Sequence, residues 1–228
     1  DRPLIAPILI EDWDEKLTHF EFRAEYGTQL GEAIARQLDA QVAQVICLAA
    51  RSAATLTATQ AATKGGQQIT KASADTSAAA MLEAMIEAAA GFERRDVRAS
   101  ELHFYVKPEM YFKIVEEGSL INADFNGPNG SKATGTVMKG WGFHIGMSNN
   151  IPDSVVTAVA GALNNYAGDF TKTQAIGFHR DAVGTVYREF VTTESQYMIE
   201  YQQDLVLAKL MCGTGILRPE CACEIVIP

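Results

Sequence analysis

Two cysteines near the end of the sequence have a spacing that could do chemistry. Cys221 and Cys223 form a C-x-C pair, and two thiolates could supply half of a tetrahedral zinc site. Alternation along a strand would direct them to opposite faces, and neither a second pair nor a nearby histidine completes the set. The sequence therefore predicts no metal site. Cys47 and Cys212 are widely spaced in a chain too large to need disulfides, so we expect reduced thiols.

Three short motifs resemble pieces of catalytic or phosphate-binding sites. The tripeptide His179–Asp181 matches part of the protein-kinase catalytic loop, but the downstream asparagine, the glycine-rich loop and the metal-binding D-F-G are missing. Gly65-Gly66 and Gly140-Trp141-Gly142 lack the spacing of a dinucleotide or P-loop fingerprint, and we interpret them as flexible segments. No nucleophile, base and orienting group come together, so we predict no catalytic residues and no cofactor.

Charge and hydropathy limit the partners of the chain. With 19 basic and 28 acidic residues among 228, the formal net charge is −9, which argues against a surface that neutralises nucleic-acid phosphates. The charge suits a protein that encloses nucleic acid without gripping it, and it suits plain solubility equally well. A hydrophobic content of 47% allows one large core or two smaller ones. No apolar run of about eighteen residues and no secretory leader occur, which predicts no membrane partner.

The stretch 12–54 is the element around which the rest is organised. It predicts a short helix at 12–20 and one long helix from about Phe22 to Ala49, because apolar side chains recur at helical spacing without an interrupting proline. Such a helix would be roughly 42 Å long, which is typical of a strut. Gly27 and Gly31 lie inside it. Each is either a tolerated kink or a point of close approach to another element or subunit.

The segments on either side of this helix have few signals for regular structure. Residues 1–11 predict an apolar edge strand or arm, which Pro3 and Pro7 keep out of a sheet interior. Residues 55–76 are rich in small and polar side chains and carry almost no large apolar ones. We therefore expect a linker there, and a domain boundary.

Residues 77–178 predict a second domain. Its expected elements are a helix at 77–94, a strand at 102–106, a helix at 108–117, a strand at 143–147, a weak helix at 153–163 and a short strand at 175–178. The long loop 118–142 contains turn dipeptides that begin at Asn126 and Asn129. Its length predicts a role outside the core.

The end of the chain mixes strand and helix signals. Apolar and polar residues alternate from Thr185 to Tyr201, which predicts a long strand. Residues 203–212 predict a helix that Gly213 stops, and residues 221–227 a final strand. The predicted fold class is α+β, with elements too open for a self-contained enzyme core.

Two separated stretches resemble one protein family. Residues 10–42 are similar to the segment around the spine helix in major capsid proteins of autographivirus-type podoviruses, including an R-x-E-Y-x-x-Q-L-G-E pattern that begins at Arg23. HRDAVGTV, which begins at His179, and QQDLVLAKLMCGTGILRPE, at 202–220, resemble the closing segment of the same family. The order of the two patterns also agrees, and the resemblance covers about two thirds of the chain.

This resemblance implies the HK97-like capsid fold, with a peripheral domain built on a spine helix and an axial domain. On that map, residues 12–54 and 179–201 belong to the peripheral domain. Residues 77–178 belong to the axial domain, together with a closing helix and strand at 202–228. The family also has an N-terminal arm and an extended loop before the spine, and we expect both to be absent from this chain.

The resemblance further implies a structural role. The expected protein self-assembles into hexamers and pentamers of an icosahedral phage head that encloses double-stranded DNA without sequence-specific binding. It would be assembled in the host bacterial cytoplasm with a scaffolding protein, and a portal would occupy one vertex. The expected subunit-interface residues are Gly27, Gly31, Asn126, Asn129 and Arg218.

Two alternatives stay open at this point. A hydrolase-type α+β enzyme would need a concave pocket with converging polar groups near the loop 118–142. A shell protein of a protein-enclosing compartment with the same fold would need a groove for docking cargo.

Overall fold

A computed structural model describes residues 3–17, 22–55, 64–98, 101–117, 130–131, 136–137, 139–141, 143–160 and 166–228. The chain forms two compact units. The first comprises residues 1–41, 159–165 and 185–214, and the second comprises residues 42–158, 166–184 and 215–228. No helix in the described part of the chain combines the length and apolar character that crossing a membrane requires.

The elements follow one another along the chain as helices and strands of very unequal length. The helices are α1 (Asp12–Leu17), α2 (Phe22–Arg51), α3 (Ala78–Glu93) and α4 (Pro108–Glu117), with a 3₁₀ turn at Pro219–Cys221. The longer strands are β1 (Leu4–Glu11), β2 (Gln67–Thr70), β3 (Leu102–Val106), β7 (Phe143–Met147), β10 (Thr173–His179), β11 (Val183–Met198), β12 (Gln203–Ile216) and β13 (Ala222–Val226). The two-residue strands are β4 (Gly130–Ser131), β5 (Thr136–Val137), β6 (Lys139–Gly140), β8 (Val155–Val156) and β9 (Gly168–Asp169).

The first unit is built on a three-stranded sheet in the order β1-β12-β11. Strand β1 pairs antiparallel with β12, so that Leu4 lies opposite Leu210 and Ile8 opposite Val206. Alternate side chains of both strands point to one face, where they form a small core with Leu30 of α2. The 30-residue helix α2 confirms the predicted long helix.

The predicted helix at 203–212 is wrong, because these residues form most of β12. Ala208, Leu210 and Cys212 are buried on one face, and the residues between them are half-buried on the other. This is a period of two. Leu, Ala and Lys favour a helix intrinsically, but pairing along the whole length of β1 outweighs that preference.

The second unit contains a six-stranded sheet in the order β2-β13-β10-β3-β7-β6. Its core unites buried residues of the sheet with the apolar faces of α3 and α4 and the last turns of α2. The predicted helix starts are confirmed: Ser77 caps α3 by accepting a hydrogen bond from Ala80 N at 3.4 Å, and Pro108 is the first residue of α4.

Three smaller expectations need correction. The linker 55–76 contains strand β2, because Ile69 is buried where β2 pairs parallel with β13. The weak helix expected at 153–163 does not form over its described residues, 153–160; Val155 and Val156 instead pair with β9. The long strand ends at Met198, and the chain turns at 199–202 before β12.

Glycines make close backbone contacts where the sequence suggested flexibility. A Cβ on Gly66 would collide with the carbonyl oxygens of Ala49 and Ala50 at the end of α2. A Cβ on Gly177 would collide with the ring of Phe104 in the neighbouring strand. Gly66 is therefore a packing residue that lets the chain leave α2 and enter β2, and the interpretation of residues 65–66 as merely flexible is wrong.

Candidate assembly surfaces

The carboxyl group of Glu224 on β13 is fully buried, with its side chain 0% exposed. Arg51, the last residue of α2, donates from Nε to Oε2 at 2.7 Å and from Nη2 to Oε1 at 2.6 Å. Gln68 and Thr173 also donate to it, at 3.0 and 2.6 Å. The hydrogen bond to Glu224 raises the pKa of Arg51. With every partner supplied by the chain itself, this carboxylate ties α2 to the sheet and has no feature of a catalytic base.

The buried thiols are equally unreactive. Burial raises the pKa of Cys221 to about 11 and also raises the pKa of Cys47 and Cys223. A thiol held in its neutral form is neither a nucleophile nor a metal ligand at neutral pH. Among the residues that the structure describes, no three His, Cys, Asp or Glu side chains group as a metal site would require.

The kinase-like tripeptide and the L-R-P-E turn come together in a single charged cluster. His179 Nε2 lies 3.1 Å from Glu101 Oε2, and its Nδ1 lies 3.5 Å from Asp181 Oδ2. Arg218 donates from Nε to Glu220 at 2.8 Å, and its Nη1 lies 4.0 Å from Asp181. These contacts hold the turn before β13 against the end of β10. We call this group of Glu101, His179, Asp181, Arg218 and Glu220 the charged clasp. Its contacts are structural, and Arg218 remains half-exposed.

Strand β11 is the most exposed long element of the chain. Every residue from 186 to 197 is exposed, including Phe190 at 75% and Val186 at 74%. Its position in the order β1-β12-β11 leaves one of its edges unpaired within the described sheet. Natural edge strands are usually guarded by proline, charged side chains or a short length. Strand β11 has 16 residues and no proline, and it carries the charges of Arg188, Glu189 and Glu194 among its exposed apolar side chains. A long exposed edge with this mixture is typical of an association surface.

The second face of the same sheet, which we call the open face, is also apolar. Ile5, Pro7 and Leu9 of β1 are exposed there. Pro7 lies opposite Leu207 and Leu9 opposite Leu205 in the register of the two strands. Large apolar side chains thus occupy both faces of a sheet of which only one is covered by α2.

Two further groups extend this apolar character within the first unit. Trp13 and Leu17 are exposed on α1, four residues apart and therefore on one side of that helix. Ile199 and Tyr201 are exposed in the turn that joins β11 to β12. The first unit therefore exposes several large apolar side chains in addition to those of its sheet.

The predicted interface residues lie in different surroundings. Gly27 is exposed and Gly31 half-exposed on α2, and a Cβ on either would meet nothing within 4 Å. The close approach expected of them therefore does not occur within this chain. Asn126 and Asn129 lie outside the described residues. Arg218 lies in the charged clasp of the second unit.

Sequence reasoning missed the exposure of β11. The sequence could have shown this exposure, because apolar residues lie on both faces of the strand. Val186 and Phe190 lie on one face, and Tyr187 and Val191 lie on the other. A strand with one face on a core and the other in water would have them in one set only.

Comparison with known proteins gives the family. The sequence model of the Gp10A-like family, described as major capsid protein, matches residues 1–226. The major capsid protein of Enterobacteria phage T3 is 28% identical over 261 aligned residues, which cover 100% of this chain and 72% of that protein. The corresponding protein of Escherichia phage T7 is 26% identical, with 99% of this chain and 71% of that protein covered.

A solved structure agrees with the sequence matches. The capsid of Cyanophage P-SCSP1u contains a chain with a TM-score of 0.87 and 30% identity, covering 100% of this chain and 72% of the other. The predicted HK97-like fold and the structural, non-enzymatic role in a homo-oligomeric phage capsid are thereby confirmed, and nothing supports the hydrolase or the protein-enclosing compartment. The chain belongs to the Gp10A-like family of major capsid proteins.

Proposed function

We propose that copies of this chain close into hexamers and pentamers of an icosahedral head through the unpaired edge of β11 and the open face of its sheet. The observation that carries this proposal is the continuous exposure of residues 186–197 on an edge strand. A neighbouring subunit that covers this strand would satisfy its free backbone groups and bury its apolar side chains. In this proposal the contact is heterologous, because a heterologous contact generates a ring when its rotation closes.

The two compact units correspond, in this proposal, to the two domains of the family. The first unit, with most of α2 and the three-stranded sheet, is the peripheral domain. The second unit, with the six-stranded sheet, is the axial domain. This assignment moves β12 from the axial domain expected from the sequence to the peripheral one, since residues 203–214 fall in the first unit.

The interface residues fit the same scheme. The open space around Gly27 and Gly31 leaves room for the backbone of a neighbouring subunit to approach α2 closely. Arg218 is half-exposed and retains surface for an additional partner from a neighbour. Asn126 and Asn129 belong to the segment 118–142, whose described part contains β4, β5 and β6, and we assign a contact between subunits to this segment.

The head would enclose double-stranded DNA without binding it specifically. The net charge of −9 favours a wall that repels phosphate, so packaged DNA would not adhere. We propose that shells form in the host bacterial cytoplasm with a scaffolding protein and a portal at one vertex. Salt-dependent binding of DNA to empty shells would contradict the repelling wall.

The decisive experiment is sedimentation of the purified full chain, with negative-stain imaging of the same fractions. We expect hollow shells or rings of five and six subunits. Phe190→Ser should leave the subunit folded and shift material from shells to free subunits, because it removes an exposed side chain from the proposed contact. Phe112→Ser, at an exposed position of α4, is the matched control. A monodisperse monomer of the wild-type chain would overturn the proposal.

A further inference from the structure

Trp141 has a backbone conformation that tryptophan rarely adopts. Gly140 pairs with Phe143, so Trp141 lies in the turn that directly follows β6. Its φ is 47°, in the left-handed region that turns of this kind normally fill with glycine, asparagine or aspartate. Its side chain is nevertheless 49% exposed. A large aromatic residue therefore occupies a strained and exposed position where a small polar one would fit better.

The ring of Trp141 is held in a defined position. Its centroid lies 6.0 Å from that of Phe143, which is fully buried and lies 4.5 Å from Phe104. This line of aromatic rings runs from the core of the second unit to its surface. Trp141 is its exposed end, at the β6 edge of the six-stranded sheet.

The opposite edge of the same sheet contains a cavity of about 330 Å³. Gln68 and Thr70 of β2, the other terminal strand, line it together with Val226 and Ile227. The remaining lining residues are Arg51, Asp169, Lys172 and Pro228. Apolar side chains thus stand beside the cation of Lys172. The Arg51 guanidinium already binds Glu224 and the carbonyl oxygen of Asp169, and it lies over the Phe170 ring, 5.0 Å from the ring centroid. A flat aromatic ring suits these surroundings, because it can pack on the apolar part and present its face to a cation.

We propose that Trp141 of one copy inserts into this cavity of a second copy. The anchor and its receptor lie at the two ends of one sheet, so each subunit offers both and the contact is head-to-tail, which is the arrangement that closes a ring. This contact would explain the strained backbone of Trp141, because the turn holds the indole ring in the position from which it enters the cavity of the neighbouring subunit. Tryptophan is also the residue type most enriched among interface anchors. This inference rests on the ring assembly proposed above. It identifies one contact in that ring, between the second units of adjacent subunits.

The first test removes the anchor without harming the turn. Trp141→Asn places a residue that tolerates positive φ at the same position. We expect the melting temperature of the unassembled subunit to stay level or rise, and the subunit concentration needed for assembly to increase about tenfold or more. Trp141→Phe retains an aromatic ring and should restore most of the assembly. Assembly of Trp141→Asn at the wild-type concentration would overturn the inference.

The second test fills the receptor. Thr70→Phe should occupy the cavity and weaken assembly as Trp141→Asn does, and combining the two changes should add little, because both remove one contact. Thr76→Phe adds the same ring at an exposed position outside the cavity lining and is the matched control. Full additivity of Thr70→Phe and Trp141→Asn, or equal losses with Thr76→Phe, would contradict the pairing.

Fluorescence provides a readout independent of yield. The chain has 2 tryptophans, so the emission of the wild-type chain minus that of Trp141→Phe reports Trp141. This difference emission should shift to the blue when subunits assemble and stay unshifted when Thr70→Phe is present. Assembly without a shift would contradict the inference and leave the proposed shell intact, whereas failure of the wild-type chain to form rings or shells would contradict the proposed function itself.

Discussion

Strands β13 and β11 show how differently the two units are completed. Every residue of β13 is buried, between strands on both sides, and its one carboxylate is fully hydrogen-bonded by its own chain. Strand β11 has 16 residues, compared with 5 in β13, and most of them are exposed. Strand β13 thus has its apolar and polar groups satisfied within the chain. Strand β11 would have its groups satisfied only by the neighbouring copies of the proposed assembly.

The largest expected effect lies in the self-contained unit. Glu224→Gln keeps the side-chain size but leaves the Arg51 guanidinium without its carboxylate, so we expect the free energy of unfolding of the unassembled subunit to fall by about 3 kcal/mol or more. Urea denaturation measures this. Arg36→Ala breaks the exposed pair with Glu32 on α2 and should change stability by less than about 0.5 kcal/mol. Equal effects of the two changes would erase the distinction between the units.

The small core of the first unit provides the second comparison. Ile34 is 3% exposed beneath the sheet, whereas Leu38 only borders this core. Ile34→Ala should cost about 3 kcal/mol and Leu38→Ala about half as much, because the second cavity is open to solvent. Thermal melting of free subunits and of assembled particles tests the order. If neither change shifted either melting temperature, the assigned phase of α2 would be wrong.

Glycines offer a paired test of smaller size. Gly66→Ala pushes a Cβ into the backbone at the end of α2 and should destabilise the subunit by about 2 kcal/mol. Gly27→Ala meets open space in a helix interior and should stabilise the free subunit by about 0.5 to 1 kcal/mol.

Assembly then decides the role of Gly27. If α2 is approached closely by another subunit at this point, Gly27→Ala will reduce shell formation although the free subunit is more stable. Unchanged assembly at wild-type concentration would remove Gly27 from the interface.

The last expected effect concerns pH and appears only in alkaline solution. Burial raises the pKa of Cys221 from 9.0 to about 11, so the folded chain keeps this proton where the unfolded chain loses it. The stabilisation is complete below pH 9.0 and is lost as the pH rises toward about 11. Unfolding free energies measured across this range should decline with pH, and Cys221→Ala should make the decline shallower. The same slope in both proteins would contradict this assignment.

Periodicity predicted the elements that fold on local signals. Helix α2, the capped start of α3 and the proline start of α4 needed only helical spacing, Ser77 and Pro108. Strand β12 was not predicted, because its composition favours a helix and its partner β1 is about 200 residues away in sequence. Local propensity cannot report a pairing of that range.

The candidate surfaces divide in the same way. The motifs and their spacing predicted no catalytic residues, and the exposed β11 could have been recognised from its apolar residues on both faces. The contact between Arg51 and Glu224 could not have been predicted from the sequence, because these residues are 173 positions apart. Likewise, nothing in the letters Gly140-Trp141-Gly142 reveals that the tryptophan has a positive φ.

The two edges of the three-stranded sheet are unlike, and this limits how strands can be added to it. Pro7 lies in β1 and lacks the N–H that an incoming strand would need, whereas β11 has no such block. A strand can therefore join at one side only, and the sheet cannot extend in both directions as a cross-β fibril must. If subunits associate through β11 as proposed, a single residue on the opposite edge would accordingly protect them from amyloid-like stacking at high concentration.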